Sequence, residues 1–74
     1  MASYYVNENP QPNGEHEVHK EGCDYLKLVV NKKYLGDFNN CLDAVRKARE
    51  IYDKVDGCFY CSYECHFRLN ILVP

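Results

Sequence analysis

The period of apolar and polar positions changes several times along this 74-residue chain. Residues 3–6, SYYV, have the β-branched and aromatic character of a short strand. Residues 16–19, HEVH, read as a second brief extended segment leading into a turn at KEGC. In YLKLVV, Leu26, Leu28 and Val30 alternate with Lys27 and Val29, the period of a half-buried strand. With KYLGDF after it, this stretch predicts two extended segments around a tight turn at Asn31–Lys32. From Cys41 the period lengthens. Cys41, Val45, Ala48, Tyr52 and Val55 recur every three or four residues and form one apolar stripe.

That stripe predicts an amphipathic helix over about residues 40–55. Asn40 is placed to cap it, Asp43 favours the positive end of its dipole, and Gly57 stands just beyond as a stop. Asp43–Lys47, Arg46–Glu50, Arg49–Asp53 and Glu50–Lys54 are opposite charges four apart on the polar face. At the far end Phe67, Leu69, Ile71 and Val73 alternate with polar residues, the pattern of a terminal strand that Pro74 ends.

Between the first two strands, residues 7–15 hold prolines, asparagines and a glycine with few apolar groups, and are expected to form a mobile loop. No repeat interrupts the chain, so residues 1–74 are expected to form a single small domain. The expected fold class is α+β: a small antiparallel sheet with one amphipathic helix packed on it. A core this small supplies only roughly 3–5 kcal/mol net, which makes a staple such as a disulfide or a structural metal valuable.

The formal charge is −2 and the basic residues form no block, which argues against a phosphate-binding footprint. The N-terminus, MASYYVNENP, has neither a basic n-region nor an apolar run, so no signal peptide or membrane span is expected and the setting is read as cytoplasmic. Thiols stay reduced there, and five cysteines, an odd number, do not complete a disulfide framework.

The candidate chemistry lies in two close pairs. His19 and Cys23 stand four apart in VHKEGC, and Cys58 and Cys61 three apart in CFYC. Two such half-sites bracketing a helix are how a chain delivers four ligands to one tetrahedral ion, and three thiolates with an imidazole favour zinc. A set of four protein ligands is closed and leaves no position for water, so no enzymatic hydrolysis is implied. Cys65 and His66 also have ligand spacing from Cys61 and either can replace His19. His19 is preferred because it ties distant parts of the chain together, which leaves Cys65 and His66 outside the ligand set. Cys41, on the helix stripe, reads as a core residue and the odd thiol. Thiol redox use of CFYC is the alternative, but a reactive C-x-x-C gains from a helix N-terminus, whereas Cys58 follows a helix end.

Seven tyrosines offer stacking surface. Most fall on strand or helix positions that a small domain must fill. Tyr60 and Tyr63, between the cysteines, together with Lys32 and Lys33, are the candidates for an exposed binding surface. From Tyr4 to His66 the chain resembles a group of short, mostly bacterial proteins of unknown function. They share H-x3-C, an L-G-x-F turn, an A-x3-A helix and a terminal C-x2-C; the resemblance marks His19, Cys23, Cys58 and Cys61 as the pattern positions. It is also broadly similar in cysteine spacing to small zinc-binding modules such as the metal-binding domain of the DNA-repair methyltransferase Ada. Ser62 stands where a zinc knuckle commonly has glycine. The expected role is a non-enzymatic, zinc-stabilised module binding another protein. The alternatives are a single-stranded nucleic-acid binder and a thiol redox protein.

Overall fold

A computed structural model describes residues 1–66; the expected terminal strand at Phe67–Val73 lies outside them. The first strand, β1 (Ala2–Asn7), is central. β2 (His16–Lys20) pairs with it antiparallel on one side and β3 (Lys32–Phe38) antiparallel on the other. A three-residue strand, β4 (Val55–Gly57), joins the free edge of β2 in parallel, giving the order β3-β1-β2-β4. The sheet is therefore mixed. Alternation along a strand cannot reveal the direction of its neighbour, and β4 is too short to show any alternation.

Successive residues of a strand point to opposite faces, and the two faces of this sheet carry different cores. Tyr4 and Val6 of β1, Val18 of β2, Leu35 of β3 and Val55 of β4 meet Cys41, Ala44, Val45 and Ala48 of the helix α1 (Cys41–Arg49). On the other side Tyr5 packs against Cys23, Leu26, Cys58 and Cys61. Val18 and the adjacent His19 are both buried, which a strand permits only when both faces are covered.

Asn40 caps α1 as expected, its Oδ1 accepting the Asp43 N–H at 2.9 Å. The helix is shorter than the stripe implied and ends at Arg49. Tyr52 stacks on His16 with ring centroids 3.7 Å apart, and the His16 N–H donates to the Lys54 carbonyl at 2.9 Å. These contacts draw the chain back to β2, where Val55–Gly57 gains sheet hydrogen bonds instead of another helical turn. On α1, Arg46 pairs with Asp43 at 3.6 Å and Lys47 with Glu50 at 3.4 Å, each three residues apart.

Two further expectations are corrected. Leu26, Leu28 and Val30 do not form a strand. Leu26–Leu28 is a 3₁₀ turn in which Leu26 is buried, while Leu28 and Val30 are 75% and 86% exposed. The segment KYLGDF is extended as expected and lies in β3, so L-G-D-F is not the turn that the resemblance implies. There Tyr4 faces Gly36 and Tyr5 faces Tyr34, so Leu35 is an extra residue that bulges into the helix core. Gly36 takes φ +136°, and a Cβ there would meet the Phe38 ring at 3.1 Å.

Candidate metal centre

β2 presents His19 on the face away from the helix, and the turn after it carries Cys23. β4 leads straight into Cys58, whose N–H donates to the Val18 carbonyl at 2.9 Å and so extends the β2–β4 pairing to the first cysteine of CFYC. The Ser62 N–H then donates to the Cys58 carbonyl at 2.9 Å, closing the turn that returns Cys61 toward Cys58. The ligand atoms of His19, Cys23, Cys58 and Cys61 all lie within 4.8 Å of one another. Cys23 Sγ is 3.8 Å from His19 Nδ1 and 3.9 Å from Cys58 Sγ, and Cys61 Sγ is 4.0 Å from His19 Nδ1. A tetrahedral ion with bonds of about 2.3 Å to sulfur and about 2.0 Å to nitrogen sets ligand atoms roughly 3.5–3.8 Å apart. The four residues fit a metal ion with little adjustment.

The surroundings suit such an ion. His19 Nε2 lies 3.2 Å from Glu17 Oε1, leaving Nδ1 as the ligand atom and fixing the ring orientation. Glu17 is two residues before His19, hence on the same face of β2, and Gln11 Nε2 donates to its other oxygen at 2.8 Å. The His19 hydrogen bond holds the Glu17 carboxyl below its ordinary value. Burial depresses His19, but hydrogen bonds to Glu17 and Cys23 outweigh it and raise the imidazole above its usual range. The backbone N–H groups of Tyr25 and Leu26 point to the Cys23 sulfur, those of Tyr60 and Cys61 to the Cys58 sulfur, and that of Lys20 reaches Cys61 Sγ at 3.2 Å. N–H donors on sulfur stabilise thiolates.

The three thiols do not share this stabilisation equally. Burial opposes ionisation at Cys23, but its hydrogen bonds bring it down to about 7. Burial pushes Cys58 up, and pushes Cys61 up to about 12. Three sulfurs this close cannot all be anionic on their own; a divalent cation removes that repulsion and deprotonates them together.

The remaining cysteines are joined. Cys41 at the start of α1 and Cys65 form a disulfide across 24 residues. Cys41 does belong to the core, but it is not an odd thiol, and Cys65 is neither a ligand nor a surface group. The odd count resolves into three free cysteines, all in the candidate site, and one bridged pair. His66 does not replace His19. Its Nδ1 lies 2.8 Å from Asp56 Oδ2 and 3.0 Å from the Gly57 carbonyl.

Tyr60 and Tyr63 belong to an exposed aromatic cluster built over the CFYC turn. Tyr60 stacks on Tyr25 with centroids 4.4 Å apart, and Phe59 sits edge-on to Tyr60, Tyr63 and His66 at 5.1–5.3 Å. Lys32 and Lys33 lie instead at the start of β3, where the Lys32 ammonium is 5.9 Å from the centre of the Tyr5 ring, itself in contact with Tyr34. Tyr25, Phe59, Glu17 and the Cys41–Cys65 bridge escaped the sequence reading. Glu17 had a signal, its two-residue spacing from His19 on a strand; two cysteines left over after a three-cysteine site were a signal for the bridge.

No protein family matches the chain, and no curated protein or solved structure matches it.

Proposed function

We propose that this chain is a non-enzymatic binding module whose metal is zinc and whose partner is another protein. The observation that carries the reading is the convergence of His19, Cys23, Cys58 and Cys61, four ligand atoms within 4.8 Å of one another. Three thiolates and an imidazole at tetrahedral spacing suit zinc over hard cations such as magnesium or calcium, and four protein ligands make the site structural. Redox use is disfavoured. Cys58 is 1% exposed and its thiol is pushed up by burial, the reverse of a reactive cysteine.

The same turn that holds Cys58 and Cys61 displays Phe59, Tyr60 and Tyr63, so metal binding and the aromatic face are one unit. Aromatic groups of this kind are characteristic anchors of protein interfaces. The net charge of −2 and the lack of a block of basic residues in the sequence favour a protein over a nucleic acid. Among the described residues no helix is long and apolar enough to cross a membrane. The Cys41–Cys65 bridge runs against the expectation that every thiol stays reduced in a cytoplasmic setting.

The test is a photo-crosslinking amino acid in place of Tyr60, in cells, with Cys58→Ser as the metal-deficient control. A protein adduct that disappears in the control supports the reading. A nucleic-acid adduct, or a protein adduct indifferent to Cys58→Ser, contradicts it.

A further inference from the structure

The four ligands are not equally enclosed. His19, Cys23 and Cys58 are buried, whereas Cys61 is half-buried and lines a cleft of about 450 Å³. The cleft runs between the start of α1 and the CFYC turn. Tyr4 and Lys20, paired across β1 and β2, form its floor; Asn40 and Cys41 line one wall, Tyr60 and Tyr63 the other. Tyr4 is buried apart from a small part of its surface. The space is large enough for a small molecule, and its polar lining keeps it open to water.

We infer that this cleft is the exchange port of the metal centre, through which a small thiol reaches the ion and takes the place of Cys61. The inference rests on the zinc reading above and adds to it which ligand yields and to what chemical class. In the exchange the metal–sulfur bond of Cys61 breaks as a metal–sulfur bond to the arriving thiol forms. The proton of that thiol passes to the Cys61 sulfur, so charge and atoms balance and nothing is oxidised. His19, Cys23 and Cys58 keep their places because burial leaves no approach to them. Lys20 at the floor carries a positive charge that favours the arriving thiol as it gives up its proton, and Glu64 at the same rim limits how anionic the remainder of the molecule can be.

The test uses the full chain loaded with zinc, its metal content measured first. Transfer of zinc to a chromogenic chelator is then followed at increasing 2-mercaptoethanol, in the native chain and in Tyr60→Ala and Tyr63→Ala, which widen the port. Ile51→Ala, outside the cleft, is the control. In parallel, brief iodoacetamide labelling of the loaded chain with mass-spectrometric mapping identifies the first cysteine to open. The expected result is a transfer rate that rises with thiol concentration, increases several-fold in the two tyrosine variants but not in Ile51→Ala, and labelling that begins at Cys61. A loaded chain whose transfer ignores thiol concentration, or that labels first at Cys23 or Cys58, overturns the port while leaving the metal site standing. A chain that takes up no zinc overturns both, and the initial metal content tells the two failures apart.

Discussion

Gly57 leaves no room for a side chain: a Cβ there would lie 2.7 Å from the Cβ of Cys65 and 2.8 Å from its backbone. In sequence it resembles a helix stop, but its role is close approach, letting the segment that carries Cys61 and Cys65 fold back on β4. Gly57→Ala is expected to cost about 1–3 kcal/mol, the range for overpacking a filled site, read from the midpoint of denaturant unfolding. Glu17 makes a different kind of contribution, orienting His19 through a 3.2 Å contact. Glu17→Gln is expected to weaken zinc binding by about 10–100-fold, measured by competition with a chelator, with the fold unchanged. On the opposite edge Ser3 and Tyr34 both donate to Asp37 Oδ1, at 2.6 and 2.7 Å, and hold that carboxyl below its ordinary value of 3.8. A depressed carboxyl contributes stability above its unfolded pKa and loses it as pH falls through the folded one. Asp37→Asn is therefore expected to lower stability at neutral pH and to flatten its decline below 3.8, seen in denaturation curves taken across the acid range. The convergence of His19, Cys23, Cys58 and Cys61 was foreshadowed by their spacing, because close pairs of soft side chains are a local signal. Glu17 was missed although it stands two residues from His19 on the same strand, and Gly57 was read only as a helix stop, since its close approach to Cys65 exists only in the fold.

At the scale of elements, β1, β2 and the start of α1 were legible because each has a local cause: a β-branched and aromatic run, a short alternation, and a cap followed by a stripe. Asn40→Ala is expected to cost about 1 kcal/mol, again from unfolding midpoints, because the Asp43 N–H loses its acceptor. The end of the helix was misread, since Tyr52 and Val55 continue the stripe yet serve other packing: Tyr52 stacks on His16, and Val55 enters the sheet. Residues 26–30 were misread for a related reason. Their alternation is that of a strand, but only Leu26 is buried, and the turn there aims backbone N–H groups at the Cys23 sulfur. A local pattern lost in both places to an interaction with a distant segment.

Across the whole molecule, two staples fasten the same short segment from opposite sides of the sheet. The candidate metal centre ties residues 58–61 to β2 and the turn after it, while the Cys41–Cys65 bridge ties the following turn to the start of the helix. The bridge closes a loop for which chain entropy gives a stabilisation of roughly 3 kcal/mol. Cys41→Ala with Cys65→Ala is expected to lose about that much in denaturant unfolding while still binding one zinc, because the ligand set is untouched. Neither staple substitutes for the other, since each secures a different face of a small sheet.

The measurement that bears most directly on the metal centre is the zinc content of protein purified without chelator, combined with a thiol count in denaturant plus EDTA and a thermal melt before and after chelation. The result expected is one zinc per chain, three free thiols beside the bridged pair, and a melting temperature that falls sharply when the metal is removed. A folded chain without metal, or a melt that chelation leaves unmoved, would contradict the account.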